Sequence, residues 1–135
     1  MVGLLMDNNV EGHVRILERI LESSSWRELW RHLQIPIISF ADAGLDPKTV
    51  DAVVWRHCQD RRWVLITANR NKKDDDSLES VIETENNANC LPVLTLADAE
   101  QIRHSKTYAE RVVEQLLTYL HWIDNYRGTG RLYLP

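Results

Sequence analysis

The sequence contains little of what builds a disulfide-stabilised, zinc-binding or membrane-spanning protein. Its two cysteines, Cys58 and Cys90, are far apart and are not accompanied by a second pair. This excludes a zinc spacing and a disulfide framework, so both thiols are expected to be buried. The apolar runs near Leu4 and Val64 are far shorter than the roughly 20 residues that span a bilayer, and no signal-peptide pattern opens the chain. A cytoplasmic location is therefore predicted.

Positive charge is also scarce. Sixteen Lys and Arg oppose twenty Asp and Glu, which gives a net charge of -4. Because this balance disfavours bulk attraction to nucleic acid, any such contact must be local.

The five histidines show no pair at metal-binding spacing, and no GxSxG motif supports acyl transfer by a serine. No repeat or long linker divides the 135 residues, so one domain is predicted, with 1–125 as its body and 126–135 as a C-terminal arm.

What the chain does contain is an alternation of apolar runs and amphipathic segments. Four runs predict strands: Gly3–Met6, Ile35–Phe40, Trp63–Ile66 and Pro92–Leu96. The alternation favours an α/β fold of three-layer, Rossmann-like type with a mainly parallel sheet of four or five strands. The arm is either ordered against the body or a partner-binding strand, and the sequence leaves both open.

Helix starts are predicted from local signals. Asp46-Pro47 is a plausible N-cap followed by proline in the first helical position. Asp76 and Glu79 have the spacing of a capping box, and so do Thr107 and Glu110. Asp98 either caps the next helix or serves as a further functional acid.

In a parallel α/β sheet, strand ends and the following helix starts share one edge, where ligands bind. Asp7 ends the first strand, Asp51 lies in the second turn of the helix before the third strand, and Thr67 and Asn69 close the third strand. Carboxylates gathered there would repel one another unless a divalent cation compensated their charge. Mg²⁺ or Mn²⁺ is the natural candidate, and it can activate water for attack on a phosphodiester.

Three stretches resemble the compact PIN-like domains related to toxin ribonucleases: GLLMDNN, FADAGLDPKTVDAVVWRHCQDRRWVLITANRN and DDDSLE. The resemblance covers roughly residues 3–96. It implies a Rossmann-like three-layer fold and an endoribonuclease, a hydrolase that cleaves RNA with a metal ion and that is sometimes the toxin of a toxin–antitoxin pair. The partners it implies are RNA and an antitoxin protein, and together with the apolar tail it suggests a homodimer.

The resemblance also assigns site residues. Asp7 matches the family's first acid, and Asp51 matches its acid on the helix before the third strand. Asn69 occupies a position where the family usually has an aspartate, and it can offer a metal an oxygen but no charge. Asp76 is the favoured replacement among the three aspartates at 74–76. The expected catalytic residues are Asp7, Asp51, Asn69 and Asp76, with Asp7, Asp51 and Asp76 as metal ligands.

Basic residues stand next to these acids in the sequence. Arg70, Lys72 and Lys73 are candidates for binding RNA phosphates, with a solvated surface run as the plain alternative.

Two other functions compete with the nuclease. One is a PIN-like module that has lost catalysis and acts by binding or regulation, for which Asn69 is the main evidence. The other is a phosphoacceptor receiver domain, which fits less well because the acceptor should end a strand, whereas Asp51 falls in a helical pattern.

Overall fold

The computed structural model describes residues 1–68 and 77–135. Within these residues, five strands form one sheet in the order β2-β1-β3-β4-β5, and every neighbouring pair is parallel. The strands are β1 (Gly3–Met6), β2 (Ile37–Ile38), β3 (Trp63–Ala68), β4 (Val93–Leu96) and β5 (Arg131–Leu134). The predicted α/β fold with a mainly parallel sheet of four or five strands is confirmed.

Helices cover both faces of this sheet and complete three layers. Around the described part of the core, α1, α6 and α7 pack on one face, and α4 and α5 pack on the other. None of the helices in residues 1–68 and 77–135 has the length and apolar character needed to cross a membrane. The helices are α1 (Glu11–Leu21), α2 (Arg27–Leu33), α3 (Phe40–Ala43), α4 (Asp51–Arg61), α5 (Leu78–Glu85), α6 (Ala99–His104) and α7 (Lys106–His121).

The two faces of the sheet differ in polarity, because successive side chains of a strand point to opposite faces. The face under α1, α6 and α7, here called the apolar face, is apolar along the whole length of the strands; it carries Leu4, Met6, Val64, Ile66, Leu94, Leu96 and Leu134. The face under α4 and α5, here called the mixed face, carries Leu5, Leu65 and Val93. Two positions further along the chain from these residues lie Asp7, just past the end of β1, and Thr67 and Thr95, all buried. Buried polar side chains are thus concentrated at the carboxyl end of the mixed face.

The helix predicted to begin at Asp46-Pro47 begins instead at Asp51. Asp46 Oδ1 accepts a hydrogen bond from the Lys48 amide at 2.7 Å, and the Asp46 carbonyl accepts one from the Thr49 amide at 2.9 Å. These bonds form a local turn, and aspartate and proline favour turns as readily as helix starts. Asp51 is therefore the first residue of α4 and does not lie in its second turn.

Serine hydroxyls cap the two helices for which capping boxes were predicted. Ser77 caps α5 and Ser105 caps α7, each by accepting a hydrogen bond from the amide three residues on. The prediction for Thr107 is wrong because this residue already lies inside α7. Asp76 lies outside the described residues. Asp98 caps α6, which confirms the capping interpretation of that aspartate.

The end of the chain is an ordered part of the sheet. β5 pairs in parallel with β4 along its whole length. Arg127 Nη1 donates to the Asn89 carbonyl at 2.6 Å, and Asn86 Nδ2 donates to the Gly128 carbonyl at 2.8 Å. Gly128 has a φ of +86°, which glycine adopts without the strain that other residues would experience. Of the two interpretations left open for the arm, the ordered one describes this structure.

Candidate active site

The described helices that follow β1 and β3 lie on opposite faces of the sheet. β1 is followed by α1 on the apolar face, whereas the next helix after β3 among residues 1–68 and 77–135 is α5 on the mixed face. The strand order places β1 and β3 side by side. In doubly wound sheets of this order, such a topological switch point opens the crevice in which ligands bind. A ligand site is therefore expected at the carboxyl ends of β1 and β3.

Asp7 and Thr67 lie at this switch point. Asp7 follows the last residue of β1, and its amide donates to the Ile66 carbonyl of β3 at 2.9 Å. Its Oδ2 accepts a hydrogen bond from the Thr67 hydroxyl at 2.6 Å. Asp7 is only 7% exposed and Thr67 only 1%. Because burying a carboxylate is costly, the short, charge-assisted bond from Thr67 is what such a group needs.

The charge of Asp7 acts on the inner side of α4. Burial, and to a smaller extent the negative charge of Asp7, raise the pKa of the Cys58 thiol to about 12, although the positive charge of Arg61 opposes them. A thiol with so high a pKa stays protonated near neutral pH and is a poor nucleophile. Cys58 is therefore a buried structural thiol, as the sequence predicted.

Cys58 is expected to resist alkylation in the folded protein. In a Cys90→Ala background, iodoacetamide should label Cys58 only when the protein opens, because the reactive thiolate is rare when the pKa is about 12. Mass spectrometry of samples taken over time, with and without urea, measures the rate. Equal rates in the two conditions would show that the folded interior does not protect this thiol.

Asp51 shares the carboxyl edge and the mixed face with Asp7. α4 directly precedes β3, so it runs back along the sheet, and its first residue lies near the carboxyl ends of the strands. The 11 residues of α4 rise about 16 Å, which is close to the roughly 20 Å spanned by the 6 residues of β3. Asp51 is half-buried, and a carboxylate in the first turn of a helix is favoured by the helix dipole. Because Asp51 starts a helix and does not end a strand, it is unsuited to the phosphoacceptor role of a receiver domain.

The other predicted site residues lie outside the described residues: Asn69, Arg70, Lys72, Lys73 and Asp76. In residues 1–68 and 77–135, no three His, Cys, Asp or Glu side chains are grouped so that they could hold a metal ion. Asp7 and Asp51 nevertheless supply the hard oxygen donors that Mg²⁺ and Mn²⁺ prefer. A carboxylate from Asp76 and an amide oxygen from Asn69 would belong to the same donor class.

The structure extends the polar edge to residues that the sequence did not indicate. Thr95 is paired with Thr67 in the register of β3 and β4, and it is completely buried. Thr95 Oγ1 accepts a hydrogen bond from Arg131 Nη1 at 2.7 Å, and Arg131 Nη2 donates to Glu79 Oε2 at 3.1 Å. Asp7, Thr67, Thr95 and Arg131 are here called the polar row. In the sequence, a threonine within the apolar strand VLTL indicates that a polar side chain is buried there. Its hydrogen-bond partner Arg131 lies 36 positions further along the chain, so the sequence does not identify it.

A separate polar contact lies on the apolar face. His13 Nε2, in the first turn of α1, is 2.9 Å from Glu100 Oε1 and 3.3 Å from Arg103 Nε, both on α6. The hydrogen bond with His13 is the main cause of a lowered pKa for Glu100; burial opposes it, and the charges of His13, Arg103 and His104 lower the pKa further. The contact ties α1 to α6 and shares no residue with the polar row, so it is assigned a structural role.

Comparison of the chain with protein-family models, with curated proteins and with solved structures gave no match. The resemblance to PIN-like domains thus stays a prediction from the sequence. The observation that bears on function is the buried pair of Asp7 and Thr67 at the switch point of the sheet.

Proposed function

We propose that this domain is a metal-dependent endoribonuclease of the PIN-like type, a hydrolase that uses Mg²⁺ or Mn²⁺. The observation that carries the proposal is the buried Asp7 carboxylate at the β1/β3 switch point, whose Oδ2 accepts a hydrogen bond from the Thr67 hydroxyl oxygen 2.6 Å away. Buried charges are weak contributors to stability, and they are concentrated at functional sites. A carboxylate at the edge where such sheets bind ligands is therefore best explained by a functional role.

Asp7, Asp51 and Asp76 are the residues that would hold the ion, and Asn69 would add a neutral oxygen. When bound, a divalent ion supplies an activated water and compensates the charge that develops on the phosphate. Thr67 fixes Oδ2 of Asp7, so the carboxylate has a defined orientation before any ligand binds.

RNA would be held by local contacts, since the net charge of -4 offers no general attraction to a polyanion. Arg70, Lys72 and Lys73 follow β3 in the sequence and are the proposed phosphate-binding residues. An antitoxin protein, a homodimer and a cytoplasmic location belong to the same proposal and rest on the resemblance and on composition.

Asn69 favours one alternative, a PIN-like module that has lost catalysis and acts by binding or regulation. An amide in place of a carboxylate removes one negative charge from the ligand set, which weakens the attraction for a divalent ion. Under this alternative, metal affinity is low, and the carboxyl edge serves as a binding surface.

A calorimetric titration with Mn²⁺ tests the proposal. The wild-type protein is expected to bind the ion, and an Asp7→Asn, Asp51→Asn double variant is expected to lose binding. Asp60→Asn is the matched control, because Asp60 is exposed near the far end of α4 and its replacement removes an acid from outside the proposed site.

Each other outcome has a definite meaning. Binding that survives in the double variant would show that the ion binds elsewhere and would overturn the assignment of the ligands. Absence of binding by the wild type would contradict the nuclease and favour the regulatory module.

A further inference from the structure

Arg103, in the last turn of α6, reaches across to α1 and lies over Gly12. A Cβ atom built at Gly12 would be 2.8 Å from Arg103 Nη2, which is closer than a side chain tolerates. Glycine within a helix is less favourable than alanine, so the residue at this position of α1 weakens the helix. What the missing Cβ provides is room for the Arg103 guanidinium against the first turn of α1.

The contact between His13 and Glu100 leaves most of this guanidinium unused. His13 Nε2 is 2.9 Å from Glu100 Oε1 and 3.3 Å from Arg103 Nε. One ring nitrogen cannot donate and accept at once, and the shorter contact is with a carboxylate, so the Nε2 proton is directed at Glu100. Among residues 1–68 and 77–135, Arg103 makes its hydrogen-bond contact through Nε alone, which leaves Nη1 and Nη2 available as donors.

Stability does not account for the placement of Arg103. Its closest approach to a carboxylate is 3.6 Å, from Nε to Glu100 Oε1, which is too long for a hydrogen bond. The Arg103 side chain is 46% exposed and that of Glu100 is 67% exposed, and exposed ion pairs contribute little to stability. Since His13 and Glu100 already tie α1 to α6, the guanidinium has a binding capacity that the fold does not use.

The chain places this guanidinium beside the switch point. Asp7 leads into α1 through one turn of 3-10 helix, Asn8–Val10. From Asp7 to Gly12 the helical rise is about 8–10 Å. Arg103 Nη2 therefore lies at the carboxyl edge, on the side of the apolar face, close to the start of α1. A single strand held at Asp7 through a metal ion would pass close to it.

We propose that Arg103 binds a backbone phosphate of the RNA, near the phosphodiester that is cleaved at Asp7. The planar guanidinium fork matches two phosphate oxygens, and Nη1 and Nη2 are the atoms that would donate to them. The identity of the ligand as RNA rests on the proposed function, whereas the availability of the guanidinium for an anion does not. A phosphate contact positions the strand without reading its bases, so no sequence preference is expected from it.

Arg103→Met is the central variant, because methionine keeps an apolar stem and removes the charge and the donors. Arg103→Lys keeps the charge and loses the fork. Arg19→Met is the matched control: Arg19 is exposed in the last turn of α1, at the other end of that helix from Gly12, and its replacement removes the same charge.

The measurement is the affinity for a labelled single-stranded RNA in EDTA, where metal-dependent cleavage is absent, over a series of salt concentrations. A hydrogen bond to a charged group is typically worth tenfold or more, so Arg103→Met is expected to bind about tenfold more weakly than the wild type. Each phosphate neutralised on a single strand contributes about 0.7 to the salt slope, so the slope should fall by about 0.7. Arg103→Lys should keep the slope and part of the affinity, and Arg19→Met should match the wild type.

Glu100→Gln separates phosphate binding from a merely structural role. Glutamine keeps the size of glutamate and can still accept a hydrogen bond from His13, but it removes the negative charge beside Arg103. RNA affinity is therefore expected to rise about two- to fivefold, because the remaining charge of Arg103 is no longer offset. If Arg103 only held α6 in place, Glu100→Gln and Arg103→Met would both loosen α6, and both would weaken binding.

Gly12→Ala tests the space that the guanidinium occupies. The new methyl group displaces the end of a flexible side chain and improves the helix, so urea unfolding should show a stability at least equal to that of the wild type. RNA affinity should nevertheless fall severalfold, because the guanidinium is moved from its place at the first turn of α1. A loss of binding without a loss of stability is the result that a structural role does not produce.

Wild-type affinity and salt slope in Arg103→Met would overturn the inference, and so would an equal loss in Arg19→Met. Weaker RNA binding by Glu100→Gln, or unchanged binding by Gly12→Ala, would do the same. A wild type that binds no RNA also overturns it, whereas the metal site is decided separately by the Mn²⁺ titration. Failure of this contact and failure of the proposed nuclease are therefore distinguishable.

Discussion

Replacement of Asp7 by asparagine is expected to lower metal-dependent RNA cleavage by about a thousandfold and to leave the domain folded. A metal ion supplies several kcal/mol of transition-state stabilisation, and each 1.4 kcal/mol is about tenfold in rate, which sets this magnitude. Asparagine has the size of aspartate, and its side-chain carbonyl oxygen can still accept a hydrogen bond from the Thr67 hydroxyl. Cleavage of a labelled single-stranded RNA in Mn²⁺ measures the activity, and circular dichroism monitors the fold.

The control for this experiment is Asp60→Asn, which is expected to cleave at the wild-type rate because Asp60 is exposed near the opposite end of α4. Activity that persists in folded Asp7→Asn would remove Asp7 from the site, and with it the observation on which the nuclease proposal rests. Equal loss in both variants would point to a general effect of charge and not to a ligand.

The strands were the most predictable part of the fold. β1 was expected at Gly3–Met6 and is found there, because a fully buried parallel strand is a continuous apolar run bounded by polar residues. β2 was expected over Ile35–Phe40 but pairs only at Ile37–Ile38, since Ser39 already caps α3. The run of apolar residues fixes where a strand lies, but capping by a neighbouring hydroxyl decides where it ends.

Helix starts were harder to predict because the same residues favour turns and caps. Asp46-Pro47 has the composition of a helix start, yet Asp46 hydrogen-bonds the following amides in a turn. The N-cap of α7 is Ser105, two positions before the predicted Thr107. Such choices depend on where the amphipathic face meets the sheet, which a local pattern does not specify.

The site was only partly predictable. Asp7 could be placed because a parallel sheet brings strand ends to one edge, and the Asp7–Thr67 bond follows from the pairing of β1 with β3. The contact between Thr95 and Arg131 could not be foreseen, because it requires β5 to join the sheet beside β4. The register of β5 against β4 depends on tertiary packing, and the sequence alone left the role of the tail open.

The distribution of buried polar side chains links the fold to the proposed function. Six buried polar side chains are found among the described residues: Asp7, His13, Ser39, Thr67, Ser77 and Thr95. Each lies near the end of a strand or in the first turn or N-cap of a helix, so all belong to the carboxyl edge. Ser39 and Ser77 cap helices, and His13 ties α1 to α6, so the buried polar side chains that point to a ligand site are those of Asp7, Thr67 and Thr95.

Thr67→Val is expected to destabilise the metal-free domain by about 2 kcal/mol and to weaken Mn²⁺ binding by about 10–100-fold. Valine has nearly the shape of threonine, so packing is kept, while the buried Asp7 Oδ2 loses the hydroxyl that donates to it at 2.6 Å. Urea unfolding of metal-free protein measures the first effect, and calorimetry measures the second.

Thr67→Ser is the matched control for that prediction, because serine keeps the hydroxyl and loses only a methyl group. It is expected to lose about 1 kcal/mol from the missing methyl and to retain most of the Mn²⁺ affinity. If the valine variant binds Mn²⁺ as well as the serine variant does, the Thr67 hydroxyl does not orient Asp7 for a metal. The short bond between them would then be only the means by which the fold tolerates a buried carboxylate.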